Sequence, residues 1–135
     1  MFGGQGNDTL FGTAPNFPQG LGAGEVDTLT GGNGDDTFVL AGQIVDGTKA
    51  VFYNDGDIGS AGTADYAVIA DLNNNDVIQL IGEASDYSLG SSPEGLQSGT
   101  GIFFNDGATP ELIGIVADIS VDDLSLDNPG QFSFV

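Results

Sequence analysis

A glycine-rich nonapeptide with an Asp at a constant position occurs twice in this chain. The copies span residues 3–11 and 31–39, and both fit Gly-Gly-x-Gly-x-Asp-x-U-x, where U is a large apolar residue. A degenerate copy at residues 22–30 keeps the first Gly, the Asp and the apolar position, but Ala23 and Glu25 replace the second and third glycines. The repeated phase of the Asp distinguishes this pattern from ordinary glycine-rich surface turns.

Each part of the repeat has a physical role. Glycine has no Cβ and accepts positive φ, so the first six residues predict a tight turn whose carbonyl oxygens point to one side, beside the Asp carboxylate. The last three residues predict a short strand with one inward side chain, here Leu10, Leu29 and Phe38. One unit cannot bury that side chain alone, so turns must stack. Stacked turns offer the oxygen ligands that Ca²⁺ prefers, whereas Mg²⁺ needs a smaller octahedron.

The repeats resemble the C-terminal part of RTX proteins, which bacteria export by type I secretion. The resemblance implies an all-β fold, with a short right-handed parallel β-roll over residues 1–46 and a β-strand-rich cap over residues 47–135. It also implies Ca²⁺ as the cofactor, held by the repeat carboxylates and the turn residues. These implied metal-binding residues are Asp8, Asp27, Asp36, Gly3, Gly4, Gly6, Gly22, Gly24, Gly31, Gly32, Gly34 and Asn33.

The resemblance further implies which turns share an ion, because RTX ions lie between repeats n and n+2. Registers that begin at residues 3, 12, 22 and 31 place the first turn on the third, so Asp8 and Asp27 are expected to share an ion. The partner turn of Asp36 would be residues 12–21, which contain two prolines and no Asp and so depart from the family pattern. The same register makes Asp46 a further candidate partner for Asp27.

The rest of the chain predicts strands joined by turns, among them strands at residues 66–72, 77–81 and 111–118. Residues 69–80 resemble the Ile-x-Asp-Phe…Asp-x-Ile-x-Leu segment that closes RTX rolls, and this region adds Asp65 and Asp71 as candidate metal ligands or as turn and edge carboxylates. Ser120 begins a Ser-x-x-Asp spacing that predicts one helical turn. Residues 131–135 alternate like a last strand, and an acidic stretch before a short apolar end also resembles a type I secretion signal.

Composition limits the classes of function. The chain has 20 acidic residues against one basic residue, Lys49, and a net charge of −19, so it should repel nucleic acid and anionic membranes. With no Cys and no His, disulfides, zinc sites built on these residues and His-based triads are excluded. No apolar run is long enough for a membrane span, so no membrane insertion is predicted. Calcium is expected to act as a folding cofactor, because a 39% hydrophobic chain can form a core once its charge is neutralised.

Two functions follow from these observations. The first is a calcium-binding module that folds on meeting extracellular calcium and supports export of a larger protein by the type I secretion machinery, with N-terminal parent domains missing from this chain. The second is a calcium-dependent adhesion or carbohydrate-binding module, which would need exposed aromatic side chains near an ion. Both predict a secreted or cell-surface location. No enzyme activity is predicted. Acidic pairs could serve as glycosidase carboxylates, but neighbouring Asp residues on turns are more often solvated or metal-binding, and a chain without His, Cys or Arg offers few other chemistries.

Overall fold

The computed structural model describes residues 1–12, 26–43, 47–53, 65–105 and 109–135. In these ranges the chain is all-β, as predicted, and its helical segments are single 3₁₀ turns at Ala84–Asp86 and Val121–Asp123. No helix in the described part of the chain is long and apolar enough to cross a membrane. The strands are β1 (Phe2–Gln5), β2 (Thr9–Phe11), β3 (Val26–Asn33), β4 (Thr37–Val39), β5 (Ala41–Gln43), β6 (Lys49–Val51), β7 (Tyr66–Ile69), β8 (Val77–Leu80), β9 (Tyr87–Ser91), β10 (Gly99–Phe104), β11 (Glu111–Ala117) and β12 (Phe132–Phe134).

The strands form two main sheets, and β1–β4 and then β7 and β8 alternate between them. In the first sheet β1, β3, β7 and β11 pair in parallel in that order, and β10 and β9 extend it by antiparallel pairing. The second sheet has the order β12-β8-β4-β2, with every pair parallel. β5 and β6 form a separate antiparallel pair. The first sheet is therefore mixed and the second is parallel, and both contain strands from before and after residue 47.

The inward side chains of the two sheets form two columns. In the second sheet, paired positions on neighbouring strands bring together Leu10, Phe38, Ile78 and Phe132. In the first sheet, the corresponding column consists of Leu29, Ile69 and Val116. Both columns belong to one buried cluster, so the main core lies between the sheets. The prediction that the apolar residue of each nonapeptide points inward is confirmed, since all three are buried.

The C-terminal residues form the last strand of the second sheet. β12 pairs in parallel with β8, and Val135 N–H donates to Leu80 O at 3.0 Å. Phe132 is buried, and Phe134 packs against the same core cluster. The alternating pattern at residues 131–135 therefore predicted this strand correctly.

Tyr87 is a buried tyrosine at the start of β9. Its hydroxyl donates to Ile81 O at 2.9 Å and accepts from Ile81 N–H at 3.3 Å, and its ring centroid lies 5.4 Å from that of Phe104. Burial raises the pKa of Tyr87 to about 12, although the hydrogen bond to Ile81 lowers it, and the charge of Asp86 adds to the increase. The neutral phenol is therefore the form that the folded protein stabilises.

We expect Tyr87 to titrate at about 12 in the folded protein, above the ordinary value of 10.0. Since the unfolded chain releases this proton at lower pH, the stabilising contribution of Tyr87 should decline as pH rises from 10.0 towards 12. The difference in phenolate absorbance between wild type and Tyr87→Phe, followed against pH, isolates this group. A difference curve centred near 10 under native conditions would contradict the buried placement.

Candidate metal centre

The two complete glycine turns lie directly over one another. We refer to residues 3–8 as the first turn and to residues 31–36 as the second turn. Parallel pairing of β1 with β3, and of β2 with β4, fixes the register that stacks them. The turns are also bonded to each other, because Gly6 N–H donates to Asn33 O at 2.8 Å. The prediction that repeat turns stack is therefore confirmed for this pair.

The close approach of the two turns depends on glycine. Gly4, Gly6, Gly32 and Gly34 all have φ between 97° and 128°, a region that other residues rarely adopt. A Cβ added to Gly32 would collide with the carbonyl oxygen of Gly4, and one added to Gly34 would collide with that of Gly6. The second and third glycines of the repeat thus make room for the carbonyl oxygens of the neighbouring turn.

This register corrects the predicted pairing of turns. The first turn stacks on the second complete copy and not on the degenerate copy, so Asp8 lies beside Asp36 rather than beside Asp27. The physical reason is the clearance that glycine provides. The degenerate copy carries Ala23 and Glu25 where the second and third glycines belong, so each would bring a Cβ against a carbonyl oxygen of the first turn.

Asp27 has a different environment from the one predicted. It lies in β3, opposite Ala67 of β7, and its Oδ2 accepts a hydrogen bond from Tyr53 OH at 2.9 Å. Tyr53 is fully buried. The remaining candidates from this part of the roll, Gly22, Gly24 and Asp46, lie outside the described residues.

A third turn, residues 71–76, continues the stack. Pairing of β4 with β8 places it next to the second turn, which therefore lies between two turns instead of beside residues 12–21 as predicted. Asp76 holds the same position in the third turn as Asp36 does in the second turn. This turn has no glycine and so does not match the nonapeptide pattern. The usable signal was the Asp followed two positions later by a large apolar residue, at the same spacing as in the nonapeptides.

A row of three carboxylates runs along the stacked turns. Asp8 N–H donates to Asp36 Oδ1 at 2.9 Å, and Asp36 N–H donates to Asp76 Oδ1 at 2.9 Å. Asp36 and Asp76 are each 1% exposed. Neighbouring carboxylates in a buried row repel one another, because the interior screens their charges less than water does.

One oxygen on each of the first two carboxylates has no hydrogen-bond partner among the described residues. These atoms are Asp8 Oδ2 and Asp36 Oδ2, and both are buried. A Cβ placed on Gly3 would lie 2.7 Å from Asp8 Oδ2 and 2.7 Å from Gly31 O, so these two oxygens converge on a space that glycine leaves open. A buried charged oxygen without a partner is costly, and oxygens that converge in this way suit a hard cation.

Asp71 binds the backbone of the second turn. Its Oδ1 accepts from Gly31 N–H at 2.8 Å, and its Oδ2 accepts from Gly32 N–H at 2.9 Å. Two successive N–H groups that point the same way form an anion-binding nest, and this carboxylate fills it. Asp65, the other candidate from the closing region, is buried at the opposite end of β7 from the third turn.

Burial and neighbouring negative charges make ionisation of Asp76 unfavourable. Burial raises the pKa of Asp76 above its ordinary value of 3.8, hydrogen bonds from Asp36 N–H and Asn73 N–H lower it, and the charges of Asp36 and Asp71 raise it again. Because the folded-state pKa is raised, the ionised form of Asp76 opposes folding at neutral pH. A cation nearby would offset that effect.

A metal ion in these turns would need backbone ligands. Within the described ranges, no three acidic side chains come together closely enough to hold a metal ion. The stacked turns instead combine pairs of carboxylates with backbone carbonyl oxygens, which are ligands that Ca²⁺ accepts readily. The donor set therefore fits calcium through both side chains and backbone.

Comparison with known proteins found no family model and no curated protein that matches the chain.

Proposed function

We propose that the chain is a calcium-binding RTX module that folds when it meets extracellular calcium and supports export of a larger protein by type I secretion. The observation that carries this proposal is the pair of buried, unpartnered oxygens, Asp8 Oδ2 and Asp36 Oδ2, within stacked glycine turns. An ordinary surface turn would leave such oxygens in water. Here they are removed from water in a chain that has a single basic residue to pair with its 20 acidic ones.

The arrangement of strands supports a short right-handed parallel β-roll closed by a β-rich cap as the architecture. β1–β4, and then β7 and β8, alternate between the two main sheets. The pairs β1–β3, β3–β7 and β7–β11 are parallel, as are all pairs of the second sheet. Each circuit of the chain brings an Asp-containing turn to the same side of the stack. A solenoid needs a cap at its end, and β9 and β10 add antiparallel strands beside β11.

The proposed site lies between the first and second turns. Calcium would supply two positive charges and six to eight positions for oxygen ligands. Asp8 and Asp36 would provide carboxylate oxygens, and Gly31 O would be among the carbonyl ligands. Asp76 would contribute negative charge rather than a ligand, because it belongs to the third turn, on the far side of the second turn from the proposed ion.

The net charge of the chain links binding to folding. At −19, repulsion among carboxylates opposes the compact state, so the free energy of cation binding becomes free energy of folding. Sites in extracellular modules have dissociation constants of about 10⁻⁴–10⁻³ M, which keeps them empty where free calcium is scarce. The chain would then stay loose inside a cell and fold after export.

The adhesion hypothesis gains no comparable support. It needs a platform of exposed aromatic side chains, but among the described aromatics Phe2 alone is largely exposed, at 70%. The tyrosines are all buried. A single exposed Phe at the first strand does not provide the stacked surface that a sugar ring requires.

The proposal is tested by titrating the chain with calcium and recording far-UV circular dichroism, with Mg²⁺ as the control and EGTA to reverse the change. We expect a cooperative gain of β signal between about 0.1 and 5 mM Ca²⁺, and no such gain with Mg²⁺. A spectrum that is fully folded in EGTA and unchanged by calcium would refute the folding switch.

A further inference from the structure

We propose that Asp71 is a positioning residue for the calcium site, which aims the Gly31 carbonyl at the ion from the opposite side of the second turn without touching the ion. This inference rests on the calcium function proposed above. It concerns a carboxylate in the third turn, whereas the ion would lie between the first and second turns. Asp71 would therefore act through one peptide group that separates the two.

The peptide group between Gly31 and Gly32 links Asp71 to the proposed ion. In a trans peptide the C=O of one residue and the N–H of the next point in opposite directions. Gly32 N–H points at Asp71 Oδ2, at 2.9 Å, so the Gly31 C=O of the same plane points away from the third turn. That oxygen lies against the first turn, 2.7 Å from where a Cβ of Gly3 would be. A backbone carbonyl has two lone pairs, so pairing within the sheet still leaves one for a cation.

Asp71 itself is poorly placed to be a ligand. Both of its oxygens accept backbone hydrogen bonds, from Gly31 N–H at 2.8 Å and from Gly32 N–H at 2.9 Å. These bonds direct the carboxylate towards the second turn from the third-turn side, so the second turn lies between Asp71 and the proposed ion. Asp71 holds the position in the third turn that Gly31 holds in the second turn. An Asp would not fit at that position of the second turn, because a Cβ on Gly31 would collide with the Asp36 carboxylate. In the third turn, Asp76 Oδ2 instead accepts from Asn73 N–H at 3.0 Å.

The variant Asp71→Asn tests the hydrogen bonds of Asp71 without changing the size of the side chain. The side chain keeps its size but has one acceptor oxygen, so one of the two glycine N–H groups loses its partner and faces an NH₂ group instead. The Gly31–Gly32 peptide is then no longer held in one orientation. Mutation of residues that orient metal ligands typically lowers metal affinity 10–100-fold, so we expect Asp71→Asn to bind calcium about tenfold more weakly than wild type.

The experiment compares wild type, Asp71→Asn and Asp118→Asn, using calcium titration and Tb³⁺ as a luminescent probe of the site. Asp118 is exposed and undergoes the same change of charge, which makes it the matched control. Luminescence lifetimes in H₂O and D₂O count the waters on the bound Tb³⁺. We expect Asp71→Asn to add about one water, because the Gly31 carbonyl leaves the ion, and Asp118→Asn to add none.

The outcomes separate this inference from the function on which it rests. If wild type binds neither Ca²⁺ nor Tb³⁺, the calcium function itself fails. If wild type binds and Asp71→Asn has unchanged affinity and hydration, the positioning role is refuted and the calcium function stands. A weaker affinity with an unchanged water count would show a purely structural role and also refutes positioning. If Asp71→Asn does not fold, the test uses the ¹³C carbonyl signal of Gly31 in Gd³⁺-loaded wild type. A carbonyl that binds Gd³⁺ gives a strongly broadened signal, so a sharp signal would overturn the inference.

Discussion

Replacing Asp36 with Asn is expected to remove most of the stabilisation that calcium gives to the chain, while the free energy of unfolding extrapolated to zero calcium stays within about 1 kcal/mol of the wild-type value. A site with a dissociation constant of about 10⁻⁴ M adds about 2 kcal/mol at 5 mM calcium. Asn keeps an acceptor oxygen for Asp8 N–H, but an NH₂ group takes the place of the unpartnered Oδ2. An NH₂ group cannot bind a cation, so we expect calcium affinity to fall about a hundredfold.

The measurement is urea unfolding of wild type and variant at a series of calcium concentrations between about 1 and 50 mM, since the calcium-free chain is expected to be unfolded. Asp35→Asn is the matched control, because Asp35 lies in the same turn, is exposed and changes charge by the same amount. We expect this control to keep the calcium increment. A loss of stability for Asp36→Asn that is the same at every calcium concentration would show that Asp36 only holds the turn. A lost increment in Asp35→Asn would show that general charge, and not a site, drives the effect.

Phe38→Ala is expected to destabilise the calcium-loaded protein by about 3–5 kcal/mol, which is typical of a fully buried Phe. Phe38 is 0% exposed and lies in the middle of a column, with Leu10 on one neighbouring strand and Ile78 on the other. Removing the ring leaves a cavity between the two main sheets. Because binding and folding are linked, the variant should also need more calcium to fold.

Urea unfolding at fixed calcium measures this effect, with Phe2→Ala as the control. Phe2 is 70% exposed at the outer strand of the first sheet, so its truncation should change stability by less than about 0.5 kcal/mol. A loss of under about 1 kcal/mol for Phe38→Ala would contradict a core shared by the two sheets.

Local apolar patterns predicted three of the strands after residue 65. The expected strands near residues 66–72, 77–81 and 111–118 correspond to β7, β8 and β11, with shifts of one to three residues at their ends. The Ser120 spacing predicted the 3₁₀ turn at Val121–Asp123, where Ser120 Oγ accepts from Asp122 N–H at 3.4 Å. These segments follow from local apolar alternation and capping, which depend on neighbours in the sequence.

Other elements escaped prediction because their stability comes from distant partners. β1 contains two glycines, which disfavour strand formation, and it forms because β3 pairs alongside it. The third turn has no glycine and joins the stack through hydrogen bonds from Asp36, Gly31 and Gly32 to its carboxylates. The one local signal of the third turn is the spacing between Asp76 and Ile78, which does not by itself say which turn lies beside it.

The sequence by itself determined the chemistry of the turns and the identity of the inward residues. Glycine at fixed positions, Asp at a fixed phase and one apolar residue per repeat are local requirements that the chain displays directly. Only the tertiary structure decided which turns stack, pairing Asp8 with Asp36 and assigning Asp27 to Tyr53. The reason is that stacking depends on clearance between a glycine and a carbonyl oxygen 28 residues away along the chain, and on which strands pair beside it. Such non-local fits appear once the backbone has closed around the core.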